Sequence, residues 1–361
     1  MDLWNRPMLA LKDLVREIAE ARRTLTRDEA RAALQSILVS EADSVADLAI
    51  AGLLAAMAAR GETVDELTGF AEALRILAIP VPLTPIERAA LVDTCGTGGD
   101  GRGTFNISTG AALVATAAGA KVAKHGNRGV TSRCGSADVL EALGVPVELT
   151  PEQSAACLRA TGFTFLFAPA LHPAMKRVMP IRRALGFRTI FNLAGPLTNP
   201  AGAPAQVMGV YAPDKLPIVA GAMAQLGIRH GRVVHARNGI DEIALSATDS
   251  ILVQSPAPPV PAVIHPEDAG LKAADLAQLD GADTPQANAA ILEGILAGVA
   301  RGPRRDIVLL NAAAALQASG LASDLREGVE RAGHAIDSGA ARKTLQSLRD
   351  FGAALPLPHG D

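Results

Sequence analysis

The chain has 361 residues, 49% hydrophobic and 20% charged, with a formal net charge of −3; this is globular composition at a length sufficient for two domains. The negative balance argues against a surface built to neutralise a nucleic-acid backbone, and 3% aromatics with one Trp and one Tyr leave little for base stacking. Cys95, Cys134 and Cys157 are odd in number and lack C-x-x-C spacing, as expected of reduced thiols in a cytoplasm and not of a disulfide frame or zinc site.

The opening MDLWNRPMLALKDLVREIAE is charged too early for a secretory segment, and no apolar run reaches the ~20 residues that cross a bilayer. The first ninety residues read as helical. Capping boxes recur at Thr26–Glu29, Thr63–Glu66 and Thr84–Glu87, the last with Pro85 at the first helical position. Gly61 stands where a preceding helix stops, and Ile50, Leu53, Leu54 and Met57 recur at helical spacing.

After Leu91 the pattern alternates. Strand-like runs at Leu91-Val92, Lys121–Ala123, Val145–Leu149, Gln206–Tyr211 and Arg232–His235 are separated by helical stretches such as Ala111–Ala118 and Asp138–Leu143. This predicts an α/β domain with a largely parallel sheet. Thr150-Pro151-Glu152-Gln153 opens another helix, SPAPPVP at Ser255–Pro261 reads as a surface connection, and IVLLNAAAALQAS after Asp306 reads as a buried helix whose first residues are equally compatible with a strand. The tail after Leu355 reads as loose.

The chemistry concentrates in LVDTCGTGGDGRG, Leu91 to Gly103. Five glycines in one loop let backbone N–H groups face an anion, and a helix opening near Asn106-Ile107-Ser108-Thr109, capped by Ser108 or Thr109, offers a second anion-binding wall. The loop lacks the Gly-Lys-Ser/Thr ending of a P-loop. Gly96, Gly98 and Gly101 satisfy G-x-G-x-x-G, but the helix opens too late and Ala111 to Arg133 contains no acid, which disfavours a nicotinamide cofactor.

Lys124-His125-Gly126-Asn127-Arg128 follows a strand-like run, and with Thr131, Ser132 and Ser136 it supplies the cations, hydroxyls and N–H groups that a diphosphate takes. Asp241-Glu242, in a glycine-led turn, is an oxygen-only pair suited to Mg²⁺. A third, basic group runs from His172 through Lys176, Arg177, Arg182 and Arg183 to Arg188 and Gly195-Pro196. One of these arginines is expected to clamp a substrate carboxylate, and spacing does not select which.

Five blocks in one order carry a resemblance: GTGGD at Gly96–Asp100, NIST at Asn106–Thr109, KHGNR at Lys124–Arg128, GSADVLEALG at Gly135–Gly144 and RTIFNLAGPLTNPA at Arg188–Ala201, joined by Gly239-Ile-Asp-Glu242 and by Arg60-Gly61-Glu62-Thr63. Over about Arg22 to Gly320 the chain resembles the anthranilate phosphoribosyltransferases. The resemblance implies a small helical domain, 1–88, joined by helices from about 151–184. A larger α/β domain, 89–150 and 185–361, would carry a mostly parallel sheet, with the active site in the hinge cleft. It also implies a homodimer through the helical parts.

By motif, 5-phosphoribosyl 1-diphosphate would be held by Gly96, Gly99, Asp100, Thr104, Asn106, Ile107, Ser108 and Thr109. Lys124, His125, Gly126, Asn127, Arg128, Gly129, Val130, Thr131, Ser132 and Ser136 would close over it. Asn127 and Arg182 would hold anthranilate beside Gly96, with His125, His172 and Pro196 lining its path. Ser108, Asp241 and Glu242 would hold Mg²⁺. No covalent nucleophile is implied. Cys134, Ala236 and Lys176 depart from the family pattern. The alternatives are a pyrimidine nucleoside phosphorylase, which would need its own lysine-serine signature where His-Gly-Asn follows Lys124, and a nucleic-acid-binding relative, which would need a basic groove.

Overall fold

A computed structural model of the chain describes residues 11–40, 43–129 and 133–355. The readings made for the first ten residues, for Val130, Thr131 and Ser132 and for the tail beyond Leu355 lie outside the described residues.

The chain opens with α1 (Leu11–Ala21), α2 (Arg27–Val39), α3 (Ser44–Arg60), α4 (Val64–Leu77) and the short α5 (Pro85–Ala89). All three capping boxes form: the hydroxyls of Thr26, Thr63 and Thr84 accept the N–H of the glutamate three residues on, which reaches back to the cap N–H. Gly61, at φ +92°, ends α3. Ile50, Leu53, Leu54 and Met57 are fully buried, on one face of α3 as their spacing requires.

The sheet has seven strands in the order β3-β2-β1-β4-β5-β6-β7. They are β1 (Leu91–Gly96), β2 (Lys121–Gly126), β3 (Phe163–Phe167), β4 (Ala205–Gly209), β5 (His230–Ala236), β6 (Thr248–Gln254) and β7 (Val260–Ile264). The first five are parallel, β6 runs antiparallel to β5, and β7 is antiparallel to β6. Between the strands lie α6 (Ile107–Ala117), α7 (Ser136–Ala142), α8 (Pro151–Thr161), α9 (Ala168–Leu171), α10 (Met179–Leu185), α11 (Ile190–Ala194) and α12 (Leu216–Gln225). After β7 come α13 (Pro285–Leu296), α14 (Pro303–Ala318), α15 (Leu325–Asp337) and α16 (Ala340–Ala353).

Two cores sandwich the sheet. One face, with Val92, Val207 and Val234, packs on α6, α7 and α13–α16. The other, with Cys95, Met208 and Val233, shares a core with α1–α4, α11 and α12. The run after Asp306 is the buried α14, a helix from its start.

The structure departs from the sequence reading in several places. Val145–Leu149 is not a strand; Val145, Val147 and Leu149 are buried in alternation, but Pro146 interrupts the backbone donors and the segment stays an irregular connection. The stretch 151–184 divides. Gly162, left-handed at φ +81°, stops α8 and turns the chain into β3, so α8 lies against β3 and α16 on the sheet side. The turn Pro173–Arg177 and α10 pack on α2 and α3, while Arg159 of α8 reaches Glu87 and the Pro82 carbonyl and the Leu171 carbonyl accepts the Ile79 N–H at 2.9 Å. SPAPPVP is a turn only as far as residue 259, because Val260 and Pro261 already belong to β7, an edge strand that tolerates proline. The cap of α6 is Asn106, not Ser108 or Thr109, and it makes no side-chain capping bond.

Candidate functional site

β1 is flanked by β2 on one side and β4 on the other, so the crossovers leave it in opposite directions. In an open parallel sheet such a switch point opens a crevice beyond the carboxyl ends of the strands. The predicted residues converge there. Gly96 ends β1, Lys124–Gly126 end β2, Gly209 ends β4, and Asp241-Glu242 follow β5.

Beyond Gly96 the loop is shaped by glycines at φ +67° (Gly98), +71° (Gly99), +71° (Gly101) and +69° (Gly103), a region that other residues enter at a cost. Its first half hangs on the carboxylate pair: the Gly98 N–H donates to Asp241 Oδ2 at 2.7 Å, and the Thr97 N–H to the Gly209 carbonyl at 2.9 Å. Its second half is fixed where the Gly281 N–H donates to the Gly103 carbonyl at 2.8 Å and Thr104 bridges to Asp280. Close approach explains two more glycines. A Cβ on Gly96 would lie 2.5 Å from Asp241 Oδ2, and one on Gly209 would overlap the Asp241 carbonyl oxygen.

The start of α6 closes the other wall. The Ser108 N–H donates to Glu242 Oε1 at 3.1 Å. Lys124, 1% exposed, donates Nζ to the Thr94 carbonyl and lies 3.3 Å from Ser108 Oγ. Thr109 Oγ1 and Asn106 Oδ1 are buried polar atoms with no partner among the described residues, acceptors kept dry at a helix start. Burial first, then a neighbouring carboxylate (Asp100 for Asp241, Asp241 for Glu242), pushes both acids above the ordinary carboxylate range. Two like charges held together in a poorly solvated turn, beside a hydroxyl, form the oxygen-only set that a magnesium ion shared with substrate phosphates takes. No self-contained metal cage of three or more His, Cys, Asp or Glu side chains occurs among the described residues.

A second cluster lines the floor. The His125 and His172 rings sit 5.0 Å apart, tilted by 51°, both buried with Nε2 unpartnered. Burial pushes both imidazoles down, His172 to about 4. The Pro196 carbonyl accepts from Gln206 Nε2 at 2.7 Å, which ties that turn to β4. Arg182, on α10, lies over the Phe191 ring at 5.3 Å and 3.7 Å from Met179 Sδ; it makes these contacts on the helical side of the crevice. Asn127 is exposed at the end of β2, and Ser136 starts α7 beside Gly126.

Arg128 does not face the crevice as expected. Its guanidinium is paired with Glu141 and with Glu148 at 2.9 Å, stands 3.5 Å from Asp138, and covers the Phe167 ring at 5.4 Å. The acid-free stretch before Arg133 therefore does not make a local positive site, because α7 and the chain after it bring the acids back.

Two further residues shape the site, Asp93, which the sequence did not single out, and Arg188, which it named only within the third basic group. Asp93, wholly buried, accepts the His125 N–H at 3.1 Å and Asn199 Nδ2 at 2.9 Å, fixing the end of β2; burial pushes it up to about 6. Arg188 donates to the Gly99 carbonyl and stacks on Tyr211 at 4.3 Å. Arg188 opens the block Arg188–Ala201, which was a signal for it; Asp93, two residues before Cys95, offered none. Of the three departures, Ala236 is buried in the core, Lys176 is exposed, and Cys134 presents its carbonyl to Asn106 Nδ2 at 3.0 Å.

Residues 12–78 match the helical bundle domain of a glycosyl transferase family, and residues 88–342 match its a/b domain. The anthranilate phosphoribosyltransferase of Symbiobacterium thermophilum is 48% identical over 94% of this chain and 97% of its own, and that of Solibacter usitatus 49% identical over 96% and 100%. Among solved structures, anthranilate phosphoribosyltransferase from Thermus thermophilus superposes with a TM-score of 0.86 at 42% identity, covering 95% of this chain and all of that one. The Saccharomyces cerevisiae enzyme in complex with PRPP and Mg superposes with a TM-score of 0.86 at 28% identity, covering 96% and 98%.

Proposed function

The chain belongs to the anthranilate phosphoribosyltransferases, and we infer from that membership which of its residues do the work. Enzymes of this family transfer the 5-phosphoribosyl group of 5-phosphoribosyl 1-diphosphate to the amine of anthranilate, giving N-(5-phosphoribosyl)anthranilate and diphosphate, and this chain is a transferase of that kind, acting in tryptophan synthesis. The observation that carries the residue assignment is the pair of bonds from Asp241 to the Gly98 N–H and from Glu242 to the Ser108 N–H. They bind the glycine loop, the helix start and the carboxylates into one cradle.

In this reading the diphosphate lies against Gly96, the N–H groups of Gly99 and Asp100 and the opening of α6, with Thr104, Asn106, Ser108 and Thr109 around it and Lys124 behind. Ser108, Asp241 and Glu242 would hold Mg²⁺, whose positive charge would offset that of the departing diphosphate when bound. The protein's part is positioning. The aromatic amine is neutral at pH 7 and needs alignment more than a base. Asn127 and Arg182 hold anthranilate, Arg182 taking its carboxylate, and the neutral imidazoles of His125 and His172 and the Pro196 turn wall its path. The N–H groups of the loop and the Lys124 ammonium meet the charge that grows as the anomeric bond breaks. Cys95 plays no covalent part; burial pushes its thiol well up.

The helical unit and the sheet unit are proposed to flex about this cleft, and two chains to pair through the helical units. No helix among the described residues is long and apolar enough to cross a membrane, which is compatible with the cytoplasmic location expected from the thiols.

Anthranilate fluorescence, followed after adding 5-phosphoribosyl 1-diphosphate and Mg²⁺ with a chelator control, tests the reading. A loss of signal that the chelator abolishes is expected. A steady signal from folded protein rejects it.

A further inference from the structure

Asp138 lies in the first turn of α7, outside every role assigned above. Its Oδ2 accepts the Gly129 N–H at 2.9 Å and the Gly135 N–H at 2.8 Å. Its Oδ1 stands 3.5 Å from Arg128 Nη1. A single carboxylate oxygen thus joins two points of the backbone six residues apart. The Ala137 N–H adds a bond to the Asn127 carbonyl at 3.2 Å.

The joint is tight. A Cβ on Gly135 would overlap the Gly129 nitrogen and the Arg128 carbonyl carbon, so the two passes of chain touch backbone to backbone. Arg128, held by Glu141, Glu148 and the Phe167 ring, keeps one pass against α7. The other pass leads into the cradle, where the Cys134 carbonyl accepts from Asn106 Nδ2. A Cβ on Gly126 would meet Ser136 Cβ at 3.3 Å and the Phe165 ring more closely still, so the end of β2 and the start of α7 are pressed together at this joint.

We propose that Asp138 is a positioning residue of the diphosphate site: its carboxylate clamps Gly129 to Gly135 and so holds the end of β2, the start of α7 and the cap of α6 in one arrangement around the cradle. The clamp touches no substrate. It sets where Lys124, Asn127 and Ser136 stand, and it turns the charge of Arg128 to structural use. The proposal rests on the reading of that cradle as the 5-phosphoribosyl 1-diphosphate site.

The test is steady-state kinetics of Asp138→Ala, Asp138→Asn and Asp138→Glu in the full chain, with Ser108→Ala alongside. Loss of two backbone partners in Asp138→Ala is expected to raise the KM for 5-phosphoribosyl 1-diphosphate about ten-fold. The KM for anthranilate should rise less, since of its residues only His125 and Asn127 stand beside this joint while Arg182, His172 and Pro196 come from other elements. Asp138→Asn keeps an oxygen for both N–H groups and should recover most of the affinity. Asp138→Glu, which keeps the charge but moves the acceptor by one methylene, should raise the same KM and decides the matter if the alanine variant does not fold. An unchanged KM for the diphosphate substrate in Asp138→Ala and Asp138→Glu overturns the clamp, as does an equal rise in both Michaelis constants. If Ser108→Ala alone raises that KM, only the role of Asp138 fails. If Ser108→Ala leaves it unchanged too, the reading of the cradle fails with it.

Discussion

Asp241 and Glu242 are adjacent, yet the turn in which they stand directs both to the same crevice, each satisfied by one backbone N–H. Without a cation they repel, so replacing them with amides removes a repulsion along with a ligand set. Asp241→Asn with Glu242→Gln is therefore expected to abolish most turnover while thermal stability in chelator holds or rises. Turnover at the wild-type level under limiting Mg²⁺ would refute the metal assignment. His172 makes a prediction in pH. Burial keeps its folded pKa near 4, below the ordinary value of 6.5, and burial, His172 and Lys124 push His125 the same way. The unfolded chain therefore binds more protons between those values. The stability is fully present above pH 6.5 and lost as pH falls toward 4, at roughly 3 kcal/mol for His172. Urea midpoints of His172→Gln should fall less steeply than wild type between pH 7 and pH 4.5; parallel slopes would mean that this histidine does not titrate with unfolding. At this scale the sequence made the glycine loop and the carboxylate pair legible, because both are local patterns. It misplaced Arg128, whose partners Asp138, Glu141 and Glu148 lie beyond the window that seemed free of acids. It could not show Asp93, whose partners His125 and Asn199 are joined to it only by the fold.

Helix starts were the most readable elements, since a capping box is complete within four residues. They are not equal in energy. Thr150 caps α8 with one hydroxyl bond to the Gln153 N–H at 3.2 Å. Glu66, fully buried on α4, takes the Leu25 N–H at 2.8 Å, the Thr63 N–H at 3.0 Å and Arg60 Nη2 at 2.6 Å. Thr150→Ala should cost about 1 kcal/mol. Glu66→Gln, which leaves the Arg60 guanidinium buried beside a neutral group, should cost about 3–5 kcal/mol. Urea unfolding of the two variants checks the order, and equal losses would mean that the Glu66 network is no more than a cap. Strands were read less well for a physical reason. Phe163–Phe167 is five residues long and buried nearly throughout, so it has no alternation to separate it from the helices around it. β6 and β7 extend the sheet by antiparallel pairing beyond the parallel set that alternation implied. Val145–Leu149 has the alternation and the burial of a strand, but a strand needs a partner as well as a pattern.

Taken whole, the sheet uses its two faces for different ends. One is covered by helices of its own unit, and the other shares its core with α1–α4, so the cleft opens where the two units meet. Buried ties cross that boundary: Lys215 Nζ stands 3.2 Å from Glu62 Oε2, and Arg75 donates to the Leu197 carbonyl at 2.8 Å. The helical unit still leaves apolar surface outside. On α3, Val45 is 76% exposed and Leu48 73%, three residues apart on one face, and Val39 at the end of α2 is 50% exposed. The opposite face of the same helix is filled by Ile50, Leu53, Leu54 and Met57. A helix apolar on both sides is stable in water when its second face is also covered, and a second copy of the same unit supplies an apolar face of the right kind. On the proposed pairing, Val45→Glu with Leu48→Glu should leave the chain monomeric at micromolar concentration while turnover per chain changes little. Sedimentation of the double variant at the dimer mass, or of the wild-type chain at the monomer mass, would remove α3 from the interface. A monomer with lost turnover would instead mean that pairing holds the two units at the angle the cleft requires.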